Sequence, residues 1–277
     1  MAATAPLTDE STSKYAQVGD FRLHYNEAGT GPAVVMLHGG GPGASGWSNF
    51  QRNIGPFSEG FRTLLVDMPG FGKSDSVVVT EPRSQHTARA VCGLLDSLGI
   101  EQASFVGNSM GGAASINFAI DFPDRIDKLV VMGSAGAGQS IFTPMPTEGI
   151  KVLNQVFENP TAEGMRRLIQ LMVYDASFLT EELLQGRLQA ALNPGHLEAR
   201  KKSSSAQRNF AAELGNVKAR TLIVWGRDDR VVPLDTGLRL LAAIPGAQMH
   251  IFGQCGHWAQ FEHAEEFNRL VMDFLSH

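Results

Sequence analysis

The order of apolar runs in this chain predicts an α/β fold: a mostly parallel central sheet with helices on both faces, and an inserted all-helical cap. Three observations predict it. Ala33-Val34-Val35-Met36-Leu37-His38, Thr63-Leu64-Leu65-Val66-Asp67 and residues 104–107 and 128–132 are nearly continuous apolar stretches, as in strands buried on both faces of a parallel sheet. Between them, Val91, Leu94, Leu95 and Leu98, and then residues 113–120, fall at helical spacing, giving a strand–helix–strand beat. From about residue 138 to about 214 the beat stops.

Taken in order, alternation around Phe21-Arg22-Leu23-His24-Tyr25 predicts an antiparallel edge strand before the parallel run begins. The interruption holds four helical patterns, roughly 148–158, 162–174, 181–192 and 196–213, punctuated by Asn159-Pro160, Ser177 and Asn193-Pro194-Gly195. Strands resume at 221–225 and 248–252, and Phe267, Leu270, Val271, Phe274 and Leu275 mark one face of a closing helix. The division is therefore a first core part at 1–137, a cap at 138–214 and a second core part at 215–277. The cap would cover the carboxyl edge of the sheet, where ligands bind in open parallel sheets.

Composition narrows the function classes. The 277 residues carry 23 basic and 28 acidic side chains, a net charge of −5, which leaves no electrostatic footprint for nucleic acid or an anionic membrane. An anionic ligand would have to be held by local groups against the overall field. No apolar stretch approaches the roughly 18 residues of a membrane span, and Met1 to Glu10 has neither a basic start nor an apolar core, so it reads as a loose arm and not a signal peptide. Cys92 and Cys255 have no metal-ligand spacing and cannot build a disulfide framework. Small buried thiols in a reducing, cytoplasmic protein are expected, with no metal and no organic cofactor.

The chemistry concentrates at Gly107-Asn108-Ser109-Met110-Gly111-Gly112, between a strand pattern and a helix pattern. A serine flanked by glycine at minus two and plus two reads as a nucleophile elbow, where a sharp strand-to-helix turn exposes Oγ on a strained backbone. With 30 glycines in the chain the bare pattern can arise by chance; its partners decide. A serine hydroxyl needs a base, and the base an orienting acid. After the strand ending at Trp225 comes Gly226-Arg227-Asp228-Asp229-Arg230, and after that ending at Phe252 comes Gly253-Gln254-Cys255-Gly256-His257-Trp258. Nucleophile, acid and histidine thus follow in that order on late loops. Ser109, Asp229 and His257 are the expected catalytic set. Adjacent side chains point differently, so Asp228 is assigned to the loop or surface. His38-Gly39-Gly40-Gly41-Pro42-Gly43 after the first buried strand supplies side-chain-free backbone N–H groups. Gly40 N–H and Met110 N–H, with Gly41 beside them, are the expected oxyanion donors. No Gly-Lys-Ser/Thr follows, which argues against a phosphate-cradling loop.

With these residues in place, the chain resembles the meta-cleavage product hydrolases, carbon–carbon bond hydrolases of aromatic degradation within the α/β-hydrolase superfamily, over nearly its whole length. The likeness rests on His38-Gly39-Gly40-Gly41-Pro42-Gly43-Ala44, Trp47-Ser48-Asn49, the elbow, Glu182-Leu183-Leu184-Gln185-Gly186-Arg187, Trp225-Gly226-Arg227-Asp228-Asp229-Arg230 and Cys255-Gly256-His257-Trp258-Ala259-Gln260. It is strongest toward the biphenyl and dibenzofuran type, which cleave 2-hydroxy-6-oxo-6-phenylhexa-2,4-dienoate, and it fades around residues 199–210. The resemblance implies an anionic dienoate substrate, with Arg187 pairing its carboxylate, Asn49 and Asn108 binding the carboxylate and the 2-oxo or 2-hydroxy group, and Trp258 packing the dienoate. It also implies a homo-oligomer, dimer or tetramer. From the residues alone Arg187 reads as a solvated helix position. The same triad would serve a carboxylesterase or a haloperoxidase-like enzyme, and the fold could also serve a small-molecule receptor; a haloalkane dehalogenase would need a carboxylate where Ser109 stands.

Overall fold

In a computed structural model, residues 7–138 and 140–277 are described. In chain order the elements are α1 (Asp9–Thr12), β1 (Ser13–Val18), β2 (Phe21–Ala28), β3 (Ala33–Leu37), α2 (Gly46–Phe50), α3 (Ile54–Ser58), β4 (Arg62–Val66), α4 (Arg83–Ser97), β5 (Ala103–Asn108), α5 (Met110–Asp121) and β6 (Ile126–Met132). Four helices follow: α6 (Glu148–Glu158), α7 (Ala162–Met172), α8 (Glu181–Ala191) and α9 (Pro194–Lys202). The chain closes with β7 (Arg220–Gly226), α10 (Leu234–Ala243), β8 (Gln248–Phe252), α11 (Ala259–Glu262) and α12 (Ala264–Ser276).

The eight strands form one sheet in the order β1-β2-β4-β3-β5-β6-β7-β8. Only the β1–β2 and β2–β4 pairings are antiparallel; from β4 to β8 every pairing is parallel. Because side chains alternate across a strand, Val35 and Leu37 of β3 join one core with Phe105, Leu94 and Phe118, while Val34 and Met36 join the other with Phe50, Phe57, Phe267 and Val271. Helices thus cover both faces. This is why β3 and β5, buried along nearly their whole length, read as unbroken apolar runs.

Four expectations are corrected. The edge strand is β1, not the run at Phe21, which pairs with β1 on one side and β4 on the other. The arm expected at the amino end is tied down from Thr8, whose hydroxyl and backbone form a capping box with Ser11 on α1, and Asn26 Nδ2 donates to Asp9 O and Thr12 Oγ1; residues 1–6 lie outside the described residues. The helix expected over 196–213 ends at Lys202. Ser203 Oγ bonds back to Ala199 O and accepts from Val79 N, and Ser204 N donates to Val79 O, so the chain leaves the helix to pair with a core loop. Helix α10 had no counterpart in the pattern reading. The other three helices between β6 and β7 begin at Thr147, Thr161 and Thr180, each capping with its hydroxyl. Among the described residues, no strand interrupts the four.

Candidate active site

Ser109 sits at the junction of β5 and α5 with φ 54° and ψ −112°, a conformation that costs a non-glycine residue energy. The neighbours make the turn possible. A Cβ on Gly107 would stand 2.5 Å from Gly111 O, and one on Gly111 would stand 2.1 Å from Leu37 O. The strained backbone is held by Ser109 N donating to Met132 O at 2.7 Å and Ala113 N donating to Ser109 O at 3.0 Å. Among the described residues, the other non-glycine with positive φ is Gln254, three positions before His257.

His257 follows β8 and Asp229 follows β7, both side chains almost fully buried, with His257 Nδ1 2.7 Å from Asp229 Oδ2. The other carboxylate oxygen accepts from Val231 N at 2.8 Å and Val232 N at 2.9 Å. These bonds fix the carboxylate plane so that Oδ2 points at the ring. Nδ1–H then donates to the acid, and Nε2 is left as the basic nitrogen. Asp228 turns away, pairing with Arg227 and donating its N–H to Cys255 O. The histidine loop is joined to the elbow through Asn108 Nδ2, which donates to His257 O at 3.1 Å.

Two supports were not visible in the sequence. Gly133, at φ 51°, lies where a Cβ would be 2.7 Å from the His257 ring, so glycine is needed there for the imidazole to approach. Glu262 accepts from Gly256 N at 2.7 Å on one oxygen and from Tyr174 N at 2.6 Å on the other, tying the His257 loop to the end of α7. Burial pushes this carboxyl above its ordinary value despite its three backbone donors.

The glycine loop after β3 is braced on two sides. His38 Nδ1 donates to Gly39 O at 2.7 Å and Nε2 accepts from Met68 N at 3.1 Å. Burial lowers its pKa, which keeps the imidazole neutral for these two roles. Asn49, buried on α2, accepts weakly from Gly39 N at 3.4 Å and donates to Ser45 O. A Cβ on Gly40 would lie 2.8 Å from Met110 Sδ, so the loop runs against the first residue of α5. Ser109 makes no side-chain cap on that helix, and its leading N–H groups stay unclaimed by one. Gly40 lies against Met110, while Gly41 lies against Arg187 and Met172.

Beneath the loop, Asp67 at the end of β4 accepts from Gly46 N at 2.7 Å, Lys73 N at 2.8 Å and His24 Nδ1 at 2.8 Å, all within the buried interior. Burial pushes its carboxyl up, but the His24 hydrogen bond and charge, with the backbone donor at Lys73, outweigh it and hold the pKa below the ordinary value. A lowered acid pKa stabilises the fold above the unfolded value, roughly pH 3.9, and that stability is lost as pH falls through the folded value. Asp67→Asn is therefore expected to destabilise the protein by about 3–5 kcal/mol at pH 7. In urea melts that deficit should shrink toward pH 3; a deficit constant with pH would contradict the assignment.

On the other side of the glycine loop lies Arg187, on α8 and only 3% exposed. Its NH2 donates to Pro42 O at 3.1 Å, while Nε and NH1 have no partner. Its guanidinium lies 5.0 Å from the ring of Trp258, also buried. No carboxylate pairs with it among the described residues, and burial lowers its pKa to about 10. Asn108 Oδ1, fully buried at the end of β5, likewise has no partner. The solvated position that residue reading gave Arg187 is thus corrected. A desolvated cation with two idle donors, beside the Trp258 indole, forms a site for a polar, anionic and planar group.

Residues 32–264 match the family model of the α/β hydrolase fold. The chain is 54% identical to a 2-hydroxy-6-oxo-6-phenylhexa-2,4-dienoate hydrolase of Comamonas testosteroni, covering 97% of this chain and 98% of that one. It is 50% identical to a 2-hydroxy-6-oxononadienedioate/2-hydroxy-6-oxononatrienedioate hydrolase of the same species, covering 98% of both. Among solved structures, the meta-cleavage product hydrolase CumD of Pseudomonas fluorescens IP01, crystallised with acetates, superposes with a TM-score of 0.85 at 34% identity, over 95% of this chain and 97% of that one. A glycine-braced elbow, a buried Asp–His pair on the loops after the last two strands and full-length similarity converge: the chain belongs to the α/β-hydrolase fold family and, within it, to the meta-cleavage product hydrolases.

Proposed function

We propose that this enzyme hydrolyses the C5–C6 bond of a 2-hydroxy-6-oxo-6-arylhexa-2,4-dienoate, releasing an aromatic carboxylate such as benzoate and 2-hydroxypenta-2,4-dienoate. The observation that carries the reading is Arg187, a buried cation with two unpartnered donors beside Trp258, the residue that follows His257. An esterase acting on neutral substrates has no use for it. A dienoate carboxylate would take the idle N–H groups, and Trp258 would lie along the conjugated chain. Asn108, whose Oδ1 is unpartnered, would accept from the 2-hydroxyl; Asn49, bonded to Gly39 and Ser45, would serve the carboxylate end while holding the loop.

Two stages follow. The 2-hydroxyl loses its proton and C5 gains one, converting the dienol into a 2,6-diketone whose C5 can depart with an electron pair. Ser109 Oγ, giving its proton to His257, then attacks the C6 carbonyl, and the N–H groups of Gly40 and Met110, with Gly41 beside them, receive the oxyanion. Collapse breaks C5–C6, the electrons move onto the 2-oxo group, and His257 returns the proton. Water deprotonated by His257 releases the aroyl group from Ser109. Asp229 holds the imidazole and stabilises its charged form.

Residues 138–214 act in this reading as a cap over the carboxyl edge of the sheet, between core parts 1–137 and 215–277, and supply Arg187. Buried Cys255 and half-buried Cys92 suit a reducing cytoplasm, and the exposed face of β8 suits association into a dimer or tetramer. No helix among the described residues is long and apolar enough to cross a membrane.

The test is bleaching of the yellow dienolate across phenyl, chlorophenyl, methyl and ω-carboxyalkyl substrates, run beside a simple aryl ester. Fastest turnover is expected for the phenyl dienoate. Faster turnover of the ester would make the enzyme a carboxylesterase.

A further inference from the structure

A cavity opens where α4, the loop after β4, and helices α6, α8 and α9 meet. None of the catalytic residues lines it, nor does any acidic side chain. Two arginines do. Arg83, at the start of α4, has one long bond, NH1 to Pro69 O at 3.4 Å, and lies 6.0 Å from the Phe71 ring. Arg200, on α9, stacks on Phe157 with its guanidinium carbon 3.3 Å from the ring centre. Neither pairs with a carboxylate among the described residues. The acids nearest in sequence are engaged elsewhere: Asp75 with Arg22, Glu81 with Arg89 and Glu198 with Lys202. His196 is also committed, between Ser76 Oγ and Gly72 O.

Two like charges brought together without counter-charge repel, and burial already lowers the pKa of Arg83. Such a pair is stabilised by an anion. The walls argue for the kind of anion. Phe71, Val77, Val156 and Leu197 are apolar, which suits an anion carried on an apolar body better than phosphate, and guanidinium forks match the two oxygens of a carboxylate. The cavity shares the Pro42–Gly43 turn with Arg187: Pro42 O accepts from Arg187 NH2, and a Cβ on Gly43 would meet Arg187 O. The arginine sites are thus separated by one turn of chain.

We propose that this cavity is an accessory carboxylate site for a small apolar or aromatic monocarboxylate, separate from the site at Arg187. In a protein of net charge −5, it gives a carboxylate a place to bind at the cap–core junction. The site stands on its own residues, whatever reaction Ser109 performs.

The probe is 4-fluorobenzoate, observed by 19F NMR against the full-length protein. A bound signal is expected that persists in Arg187→Gln and weakens by about tenfold or more in Arg83→Gln/Arg200→Gln, the loss of even one of the two charge-assisted contacts being of that size. Arg200→Glu, at an exposed position, should weaken the same signal with the fold intact by circular dichroism. Turnover at saturating dienoate should stay within about twofold of wild type in these variants, so failure of the site and failure of the proposed reaction are read separately. A signal unaffected by both the Arg83/Arg200 and the Arg200→Glu changes, or one abolished by Arg187→Gln alone, overturns the proposal.

Discussion

Ser109→Ala is expected to lower turnover of the phenyl dienoate by at least about a thousandfold, some 4 kcal/mol of transition-state stabilisation. The variant should fold as the wild type does and bind substrate, because alanine relieves nothing in the turn and adds no clash. It loses the atom proposed to attack C6, and rapid quench with labelled dienoate should show no aroyl-enzyme. His257→Ala should cost a similar factor, and the double variant little more, since nucleophile and base act as one unit. If Ser109→Ala cleaved at near wild-type rate, water would be the attacking group and the elbow only a structural turn.

The second large effect separates binding from folding. Arg187→Met should lower kcat/KM for the dienoate by about a hundredfold or more, the loss of charge-assisted bonds to a carboxylate. Turnover of a neutral aryl ester should be nearly unchanged. The same substitution removes a cation whose burial lowers its pKa to about 10. An arginine pKa below its unfolded value marks a charged form disfavoured by folding at every pH below about 10, a penalty on the order of 3 kcal/mol. Lost against it are the bond to Pro42 O and the contact with Trp258. Thermal stability is therefore expected to hold or to rise by a few degrees. A fall of many degrees would make Arg187 a structural brace.

Strands β3 to β7 were legible because both faces are buried, so the requirement for apolar side chains is continuous. Strand β1, a half-exposed edge of Ser-Lys-Tyr-Ala-Gln-Val, carries no such run. Helix α10 follows Pro233 directly and lacks a capping side chain to announce it. The end of α9 depended on Ser203 and Ser204 finding Val79, a contact between distant parts of the chain.

The site divides in the same way. The pairing of Asp229 with His257 was legible because the chemistry demands those residue types, in chain order after Ser109, on particular loops. Asp229 rather than Asp228 follows from backbone N–H groups that fix its plane. Arg187 was opaque from its residue alone, because only packing of α8 on the Pro42 turn takes its guanidinium out of water. Gly133, Glu262 and the His24–Asp67 pair act across the fold; Glu262 and Tyr174 lie 88 positions apart. No local pattern marks such partners.

Carbon–carbon cleavage by this enzyme is decided by single-turnover product analysis in water enriched in oxygen-18. With the phenyl dienoate, one benzoate and one 2-hydroxypentadienoate are expected per substrate consumed, with one labelled oxygen in the benzoate carboxylate. Dienoate recovered intact, while an aryl ester is hydrolysed under the same conditions, would contradict carbon–carbon cleavage.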